Sequence, residues 1–468
     1  MTGDFLKRIF EGKRIVILGF GLEGRSTYRH VRKLWPGIQL NICDRNEQIR
    51  QTDEYLSDCL GDNWFLGDDY LKGLENADII VKSPGISFKE LPGIPKAHIT
   101  SQTELFLEVF RNQVVGITGT KGKSTTVSLL YHILIGAGKP VLLAGNIGTP
   151  CFDLLDKITE DSIIVFELSS HQLEKLEVSP CMAILLNIFR EHLDHYASYE
   201  AYKEAKMNIA RWQQEGDVFI YNIENKEVCS LVLGLKTAAK QFSLGLSSVE
   251  GDGAWYEGSD FLFRDQLEQS RFRGLADKRL LPGVHNLLNI GAAVGAARLL
   301  DVDADTIMDV VSSFRGLPHR MEYVATIAGV NYYNDSIATI PEAVIEALKA
   351  VPDTSVLILG GKDRGVDYAE LMSFLADSAL NVVLFTGETA RRMYELTAVY
   401  PGFEGKKCVL AGSFEDAVEQ ACRLAPSGST VLLSPAAASY DAFKDFKARG
   451  ERFKELVNKY GIKGQASG

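Results

Sequence analysis

The stretch Gly116-Ile-Thr-Gly-Thr-Lys-Gly-Lys-Ser-Thr-Thr126 constrains the fold of this chain more than any other. It follows the apolar pair Val114-Val115 and leads into a helical pattern over Val127–Leu134. A strand that breaks into a glycine-rich turn and then opens a helix points backbone N–H groups at an anion, at the positive end of the helix dipole. Lysine and serine directly after the last glycine make this a nucleotide phosphate loop. Gly119, Thr120, Lys121, Gly122, Lys123, Ser124 and Thr125 are the expected contacts, with Lys123 reaching the outer phosphates and Ser124 a magnesium ion. The usual spacing asks for glycine where Ile117 stands, with Gly119 two positions later. The blander alternative is a turn that merely caps a helix.

A second glycine turn lies near the start. The apolar run Ile15-Val-Ile-Leu18 enters Gly19, Gly21 and Gly24, the spacing of a dinucleotide-type turn. A strand candidate at Leu40–Cys43 ends in Asp44, at about the 20-residue offset where an acid can bond a ribose hydroxyl. A third candidate, Asp78–Lys82, ends in Ser83-Pro-Gly85. Alternating strands and helices imply a parallel sheet with a ligand at the carboxyl ends of its strands.

From about residue 112 to 315 the chain carries near-continuous apolar runs, Ser162–Leu168 and Met182–Asn187, as expected of central strands covered on both faces. Val218–Asn222 is a further candidate, and residues 240–280 read as a β-rich excursion. After Gly316-Leu-Pro-His-Arg320, strand candidates at Val330–Tyr333, Ser355–Leu359, Asn381–Phe385 and Thr430–Leu433 alternate with helical patterns such as Pro341–Leu348. The expected architecture is three α/β domains, 1–111, 112–315 and 316–468: a Rossmann-like domain, a central P-loop-type domain on a parallel sheet, and a second Rossmann-like domain. A net charge of -11 leaves no basic excess for nucleic acid. Seven cysteines, odd in number and without a C-x-x-C pair, fit a reduced protein. With no apolar signal core and no run of about 18 apolar residues, no membrane insertion is expected and the protein reads as cytoplasmic.

Two phosphate-type turns in separate domains suit an enzyme that joins a nucleotide-bearing substrate to something else at the expense of ATP. The chain resembles the Mur ligase family along its whole length. The ordered stretches are Gly19–Gly24, Ser83-Pro-Gly85, Gly119–Thr125, Gly145-Asn-Ile-Gly148, Glu167-Leu-Ser-Ser170 and Glu191-His-Leu-Asp194, then Tyr202–Lys206, His285-Asn286, Gly316–Arg320, Asn334-Asp-Ser336 and Ser434–Ser439. The resemblance implies ATP-dependent amide formation through an acyl phosphate in peptidoglycan precursor synthesis, by a monomer that takes UDP-N-acetylmuramoyl-L-alanine and glutamate. Glu167, Ser124, His192 and Lys206 are the implied ligands of two Mg2+ ions, Lys206 as a carbamate, and Glu167, His192 and Lys206 form the implied catalytic set with Lys123. For ATP it implies Asn286, Asn289, Arg320 and Asp335. Leu22, Glu23, Asp44, Arg45, Asn46, Ser83, Asn146 and Gln172 fall where the family holds the UDP substrate, and Thr339, Arg364, Ser439 and Phe446 where it holds glutamate.

Read from spacing alone, Lys206 is a helical surface lysine, because Tyr202, Ala205 and Ile209 suggest a helix with that face partly exposed. Two departures from the family pattern bear on the incoming glutamate. Ile337 stands where many members have lysine, and His171 replaces a more usual aromatic. D-Glutamate is the expected substrate, with L-glutamate the alternative. Other readings are a folylpolyglutamate-synthase-like ligase, disfavoured by the amino-terminal turn, a P-loop ATPase acting as a binding module, and an NAD-dependent dehydrogenase that leaves the phosphate loop unexplained.

Overall fold

The structure, a computed structural model, describes residues 2–49, 61–91, 98–147, 149–266 and 268–461; Cys59 and Gly148 lie outside them. Three sheets carry the architecture. The first holds β1 (Ile15–Leu18), β2 (Asn41–Asp44), β3 (Asn63–Leu66), β4 (Ile79–Lys82) and β5 (His98–Thr100), all parallel, in the order β3-β2-β1-β4-β5. The chain reverses its winding direction between β1 and β4. That switch point opens a crevice at the carboxyl ends of the two strands, where Gly19 and Ser83 stand.

The second sheet has nine strands. They are β6 (Val114–Thr118), β7 (Val141–Gly145), β8 (Ile163–Glu167), β9 (Met182–Leu185), β10 (Val218–Asn222), β11 (Lys240–Leu244), β12 (Gly253–Glu257), β13 (Asp260–Arg264) and β14 (Gln269–Phe272). Their order is β14-β13-β12-β11-β10-β9-β6-β8-β7. It is parallel from β7 to β12, and the β-rich excursion expected after residue 240 appears as the antiparallel meander β12–β14. The third sheet, in the order β15-β16-β20-β17-β18-β19, is parallel apart from its β15–β16 hairpin. It comprises β15 (Glu322–Ile327), β16 (Val330–Asn334), β17 (Thr354–Leu359), β18 (Val382–Phe385), β19 (Lys407–Leu410) and β20 (Thr430–Leu433).

Two compact units contain these sheets: Met1–Gly274 with Leu288–Met308, and Leu275–Leu287 with Asp309–Gly468. In the first, one apolar core runs from Ile17 and Val81 through Phe106 to Phe152, Phe166 and Phe219, so the first two sheets share it. In the second, alternate residues of each strand feed opposite faces. Leu357, Leu359, Val383 and Phe385 enter one cluster and Val356, Ile358, Val382 and Leu384 the other. Every residue of β1, β9, β17, β18 and β20 is buried, which is why these strands read as unbroken apolar runs. The six cysteines among the described residues are free, and no helix there is long and apolar enough to cross a membrane.

Gly24 fixes the approach of the helix Leu22–Leu34 to β1. A Cβ there would lie 2.0 Å from the Gly19 carbonyl oxygen, a backbone atom that cannot step aside. Gly24→Ala is expected to lower the free energy of unfolding by about 1–3 kcal/mol, read from the urea midpoint. An unchanged midpoint would show that the turn relaxes freely.

Candidate functional site

The phosphate loop joins β6 to the helix Lys123–Gly136, which begins four residues before the apolar pattern that announced it. Gly122 caps that helix in the left-handed region, at φ 85°, and a Cβ there would meet Asn289 Oδ1 at 2.2 Å. Asn289 therefore lies against the loop itself. Asn187, just after β9, holds the loop from the other side: its Oδ1 accepts from the Lys121 N–H at 2.8 Å and its Nδ2 donates to the Lys121 carbonyl at 3.0 Å. The Thr120 hydroxyl sits 2.7 Å from the Tyr202 hydroxyl, and Lys121 pairs with Glu191 at 2.9 Å. Lys123 Nζ donates to the carbonyls of Gly119 and Thr120 at 2.9 and 3.1 Å.

Lys206 corrects the surface reading taken from helix spacing. It lies on the helix Tyr199–Arg211, yet is only 2% exposed, and its Nζ donates to the same Gly119 carbonyl at 2.9 Å. Burial, then the neighbouring Lys123, hold its pKa well below the usual lysine range against the pull of Glu191. A lysine so disposed gives up its proton readily, and the neutral amine is the form that adds CO2. Glu167 closes β8, 3% exposed. His192 takes a left-handed backbone, φ 58°, uncommon for a residue with a side chain, and its imidazole lies 3.7 Å from Glu191. The ring of His171 stands 4.8 Å from that of His192 and 4.0 Å from that of His195, whose Nε2 is 2.9 Å from Glu174. Burial first, and the surrounding imidazoles and lysines second, push His171 down to about 4. Among the described residues no three His, Cys, Asp or Glu side chains converge as a metal-holding group.

The crevice of the first sheet is a cavity of 490 Å³, lined by Gly19, Gly21, Leu22, Glu23, Asp44, Arg45, Ser83 and Asn146 among others. Leu22 is 80% exposed at its mouth, and Arg45 lies over the Tyr70 ring. Asp44 does more than await a ligand: its carboxylate accepts from Phe20 N at 2.6 Å and Asn46 N at 2.8 Å, pinning the turn. Ser83 donates to the Gly19 carbonyl at 2.7 Å. Gln172 Nε2 donates to Glu23 Oε1 at 2.7 Å, linking the cavity to the segment after β8. Asn46 is exposed beside it.

In the second unit, Asp335 follows β16 and is buried. Ser434 donates to it at 2.8 Å and Met321 N at 3.2 Å, and burial pushes it up to about 7 despite nearby Arg320. Asn286 Nδ2 donates to the Pro282 carbonyl at 2.6 Å. Ser439 is 2% exposed, Thr339 and Phe446 are half-buried, and Arg364 and Arg320 are exposed. Sequence reasoning missed Arg449. Its buried guanidinium donates to the Ser336 hydroxyl and carbonyl and to the Ala437 carbonyl at 2.9–3.0 Å, with the Gly360 and Ala438 carbonyls at 3.4 Å. It thereby ties together the carboxyl ends of β16, β17 and β20. A lone arginine on an amphipathic helix gives no signal of this in the sequence.

The Mur ligase middle domain matches residues 117–297, and the Mur ligase glutamate ligase domain matches residues 319–437. The UDP-N-acetylmuramoylalanine--D-glutamate ligase of Acetivibrio thermocellus is 34% identical over 97% of this chain and 98% of its own length. Its counterpart from Clostridioides difficile is 35% identical over 96% and 99%. The chain belongs to the Mur ligase family. Solved Mur ligases share its fold. A UDP-N-acetylmuramoyl-L-alanyl-D-glutamate--2,6-diaminopimelate ligase superposes with a TM-score of 0.58 at 16% identity, covering 91% of this chain and 93% of the other. The MurF ligase of Thermotoga maritima in complex with ADP gives 0.53 at 20% identity, covering 91% and 95%.

The burial of Lys206 in this Mur ligase generates a stability prediction. Lys206 is penalised as an ammonium in the folded state, so its unfavourable contribution is present at neutral pH and fades as pH rises toward the unfolded lysine value. Lys206→Met should stabilise the ligand-free protein by about 1 kcal/mol or more at pH 7, with the gain shrinking as pH rises. Thermal melts in CO2-depleted buffer check it, and a destabilised Lys206→Met would refute the burial penalty.

Proposed function

We propose that this Mur ligase joins D-glutamate to UDP-N-acetylmuramoyl-L-alanine at the expense of ATP, through an acyl phosphate, as a monomer in the cytoplasm. The observation that carries the reading is the convergence of Lys123 and Lys206 on the Gly119 carbonyl, within a phosphate loop whose compact unit also holds the 490 Å³ cavity. Relatives that carry this activity in their names match nearly the whole chain. In this reading residues 1–111 hold the uridine nucleotide, 112–315 the ATP phosphates and 316–468 glutamate.

The substrate carboxylate attacks the γ-phosphorus, the bond to the β–γ bridging oxygen breaks, and ADP leaves. The glutamate amine then attacks the acyl carbon, inorganic phosphate departs, and the amine gives up a proton. Lys123 and the loop N–H groups bind the β- and γ-phosphates as charge moves onto the bridging oxygen. Magnesium held by Ser124, Glu167, His192 and a carbamylated Lys206 would supply the remaining positive charge. Asn289 positions the loop through Gly122, while Asn286, Arg320 and Asp335 serve the adenosine side. Arg364 is the cation offered to a glutamate carboxylate, with Thr339, Ser439 and Phe446 around it.

Three experiments test this. Lys123→Ala should lose ATP-dependent ligation by about 10³-fold or more while melting normally, since its charge acts on phosphates. Near-normal turnover would remove the loop from the reaction. In a phosphate-release assay with UDP-N-acetylmuramoyl-L-alanine, D-glutamate should outpace L-glutamate by about 100-fold, because a site that fixes both carboxylates misplaces the amine of one enantiomer. Arg364→Ala should raise the KM for glutamate far more than that for ATP. Faster turnover with L-glutamate would overturn the stereochemistry and keep the ligase, and would point to Ile337 as the reshaped position.

A further inference from the structure

Glu23 occupies the second position of the helix Leu22–Leu34, at the amino-terminal end that faces the 490 Å³ cavity. Its carboxyl group is clamped. Oε1 accepts from Gln172 Nε2 at 2.7 Å, and Oε2 is enclosed with no hydrogen-bond partner among the described residues. The main chain is fixed as well, since the Glu23 carbonyl accepts from Gln102 Nε2 at 3.2 Å and from the Thr27 hydroxyl at 2.9 Å. An ionised carboxylate here would have one enclosed oxygen without a donor among the described residues. It would also compete with any anionic ligand for the same helix terminus.

The groups around it do not remove the conflict. Lys82 on β4 favours the anion, but its Nζ is engaged by the carbonyls of Ser83 and Ile86. From the segment Cys151–Lys157 come the buried Cys151 thiol and Asp153, the latter already paired with Arg29. Across the cavity stand Asp44, pinned by two backbone N–H groups, and Arg45. The other side chains packed against Glu23, Gln102 and Gln172, are neutral. The net result is that burial pushes Glu23 up to about 7, against the smaller opposing effects of Gln172 and Lys82.

We propose that the nucleoside-diphosphate ligand of this cavity binds the form of the protein in which Glu23 is protonated, so that binding takes up one proton. A diphosphate brings its own negative charge to the end of the helix, and the proton is what lets Glu23 stay there beside it. The uncharged side chain then serves as a positioning residue. It keeps Gln172 oriented and leaves the positive end of the helix to the phosphates. This rests on the reading of the cavity as the uridine-nucleotide site.

Titration calorimetry of UDP-N-acetylmuramoyl-L-alanine into the full-length protein, in two buffers of different ionisation enthalpy, measures the proton count directly. Uptake should approach one proton at about pH 8.5 and fall toward zero at about pH 6, with Kd weakening by up to about tenfold per pH unit above the Glu23 titration. Glu23→Gln, neutral at every pH and still able to meet Gln172, should abolish the uptake and flatten Kd across the range. Zero uptake by the unmodified protein at high pH, or uptake unchanged in Glu23→Gln, would overturn the inference while the nucleotide still binds. Absence of binding heat at every pH would overturn the assignment of the cavity itself, and the inference with it.

Discussion

One carbonyl oxygen, that of Gly119, accepts hydrogen bonds from two lysine side chains drawn from distant parts of the chain. Lys123 arrives from the loop's own helix and Lys206 from the helix Tyr199–Arg211. Like charges brought this close repel, and the burial of Lys206 strengthens the repulsion by removing water. The surroundings are built to hold this arrangement in place. Asn187 brackets Lys121, Tyr202 meets Thr120, and Asn289 fills the space that the bare backbone of Gly122 leaves. Triphosphate and a carbamate on Lys206 would each bring negative charge to offset this repulsion.

The same economy of charge recurs at the other carboxyl ends of strands. Asp335 and Glu23 are both pushed up to about 7 by burial. Arg449 is held down to about 10 by burial and surrounded by carbonyl oxygens, with Asp441 acting at a distance. Desolvation dominates each of these shifts; local hydrogen bonds come second at Glu23 and Asp335, and the charge of Asp441 at Arg449. Glu23 and Asp335 are thereby kept near the boundary between two protonation states, where ligand charge can move them.

Much of this was legible in the sequence, and the reasons differ from element to element. The glycine turns could be read because their chemistry is local: Gly119–Thr125 and Gly19–Gly24 need particular residues at particular spacings. The strands β9, β17 and β20 could be read because burial on both faces leaves an unbroken apolar run. Lys206 was misread from spacing because the apolar stripe of its helix does not reveal that a second layer covers the adjoining face. Arg449 and Asn187 stayed hidden for a related cause. Their partners are backbone carbonyls and N–H groups, which every residue has and no motif records.

The Gly122–Asn289 contact carries a consequence for the order in which the molecule is made. The unit that contains the phosphate loop is discontinuous, comprising Met1–Gly274 and then Leu288–Met308. A nascent chain emerging from the ribosome therefore exposes the loop, its helix and all fourteen strands of the first two sheets before residue 289 appears. Until then the left-handed cap at Gly122 lacks the side chain that packs on it. The nucleotide loop is complete by residue 126, yet its final packing waits for residue 289 of the 468-residue chain.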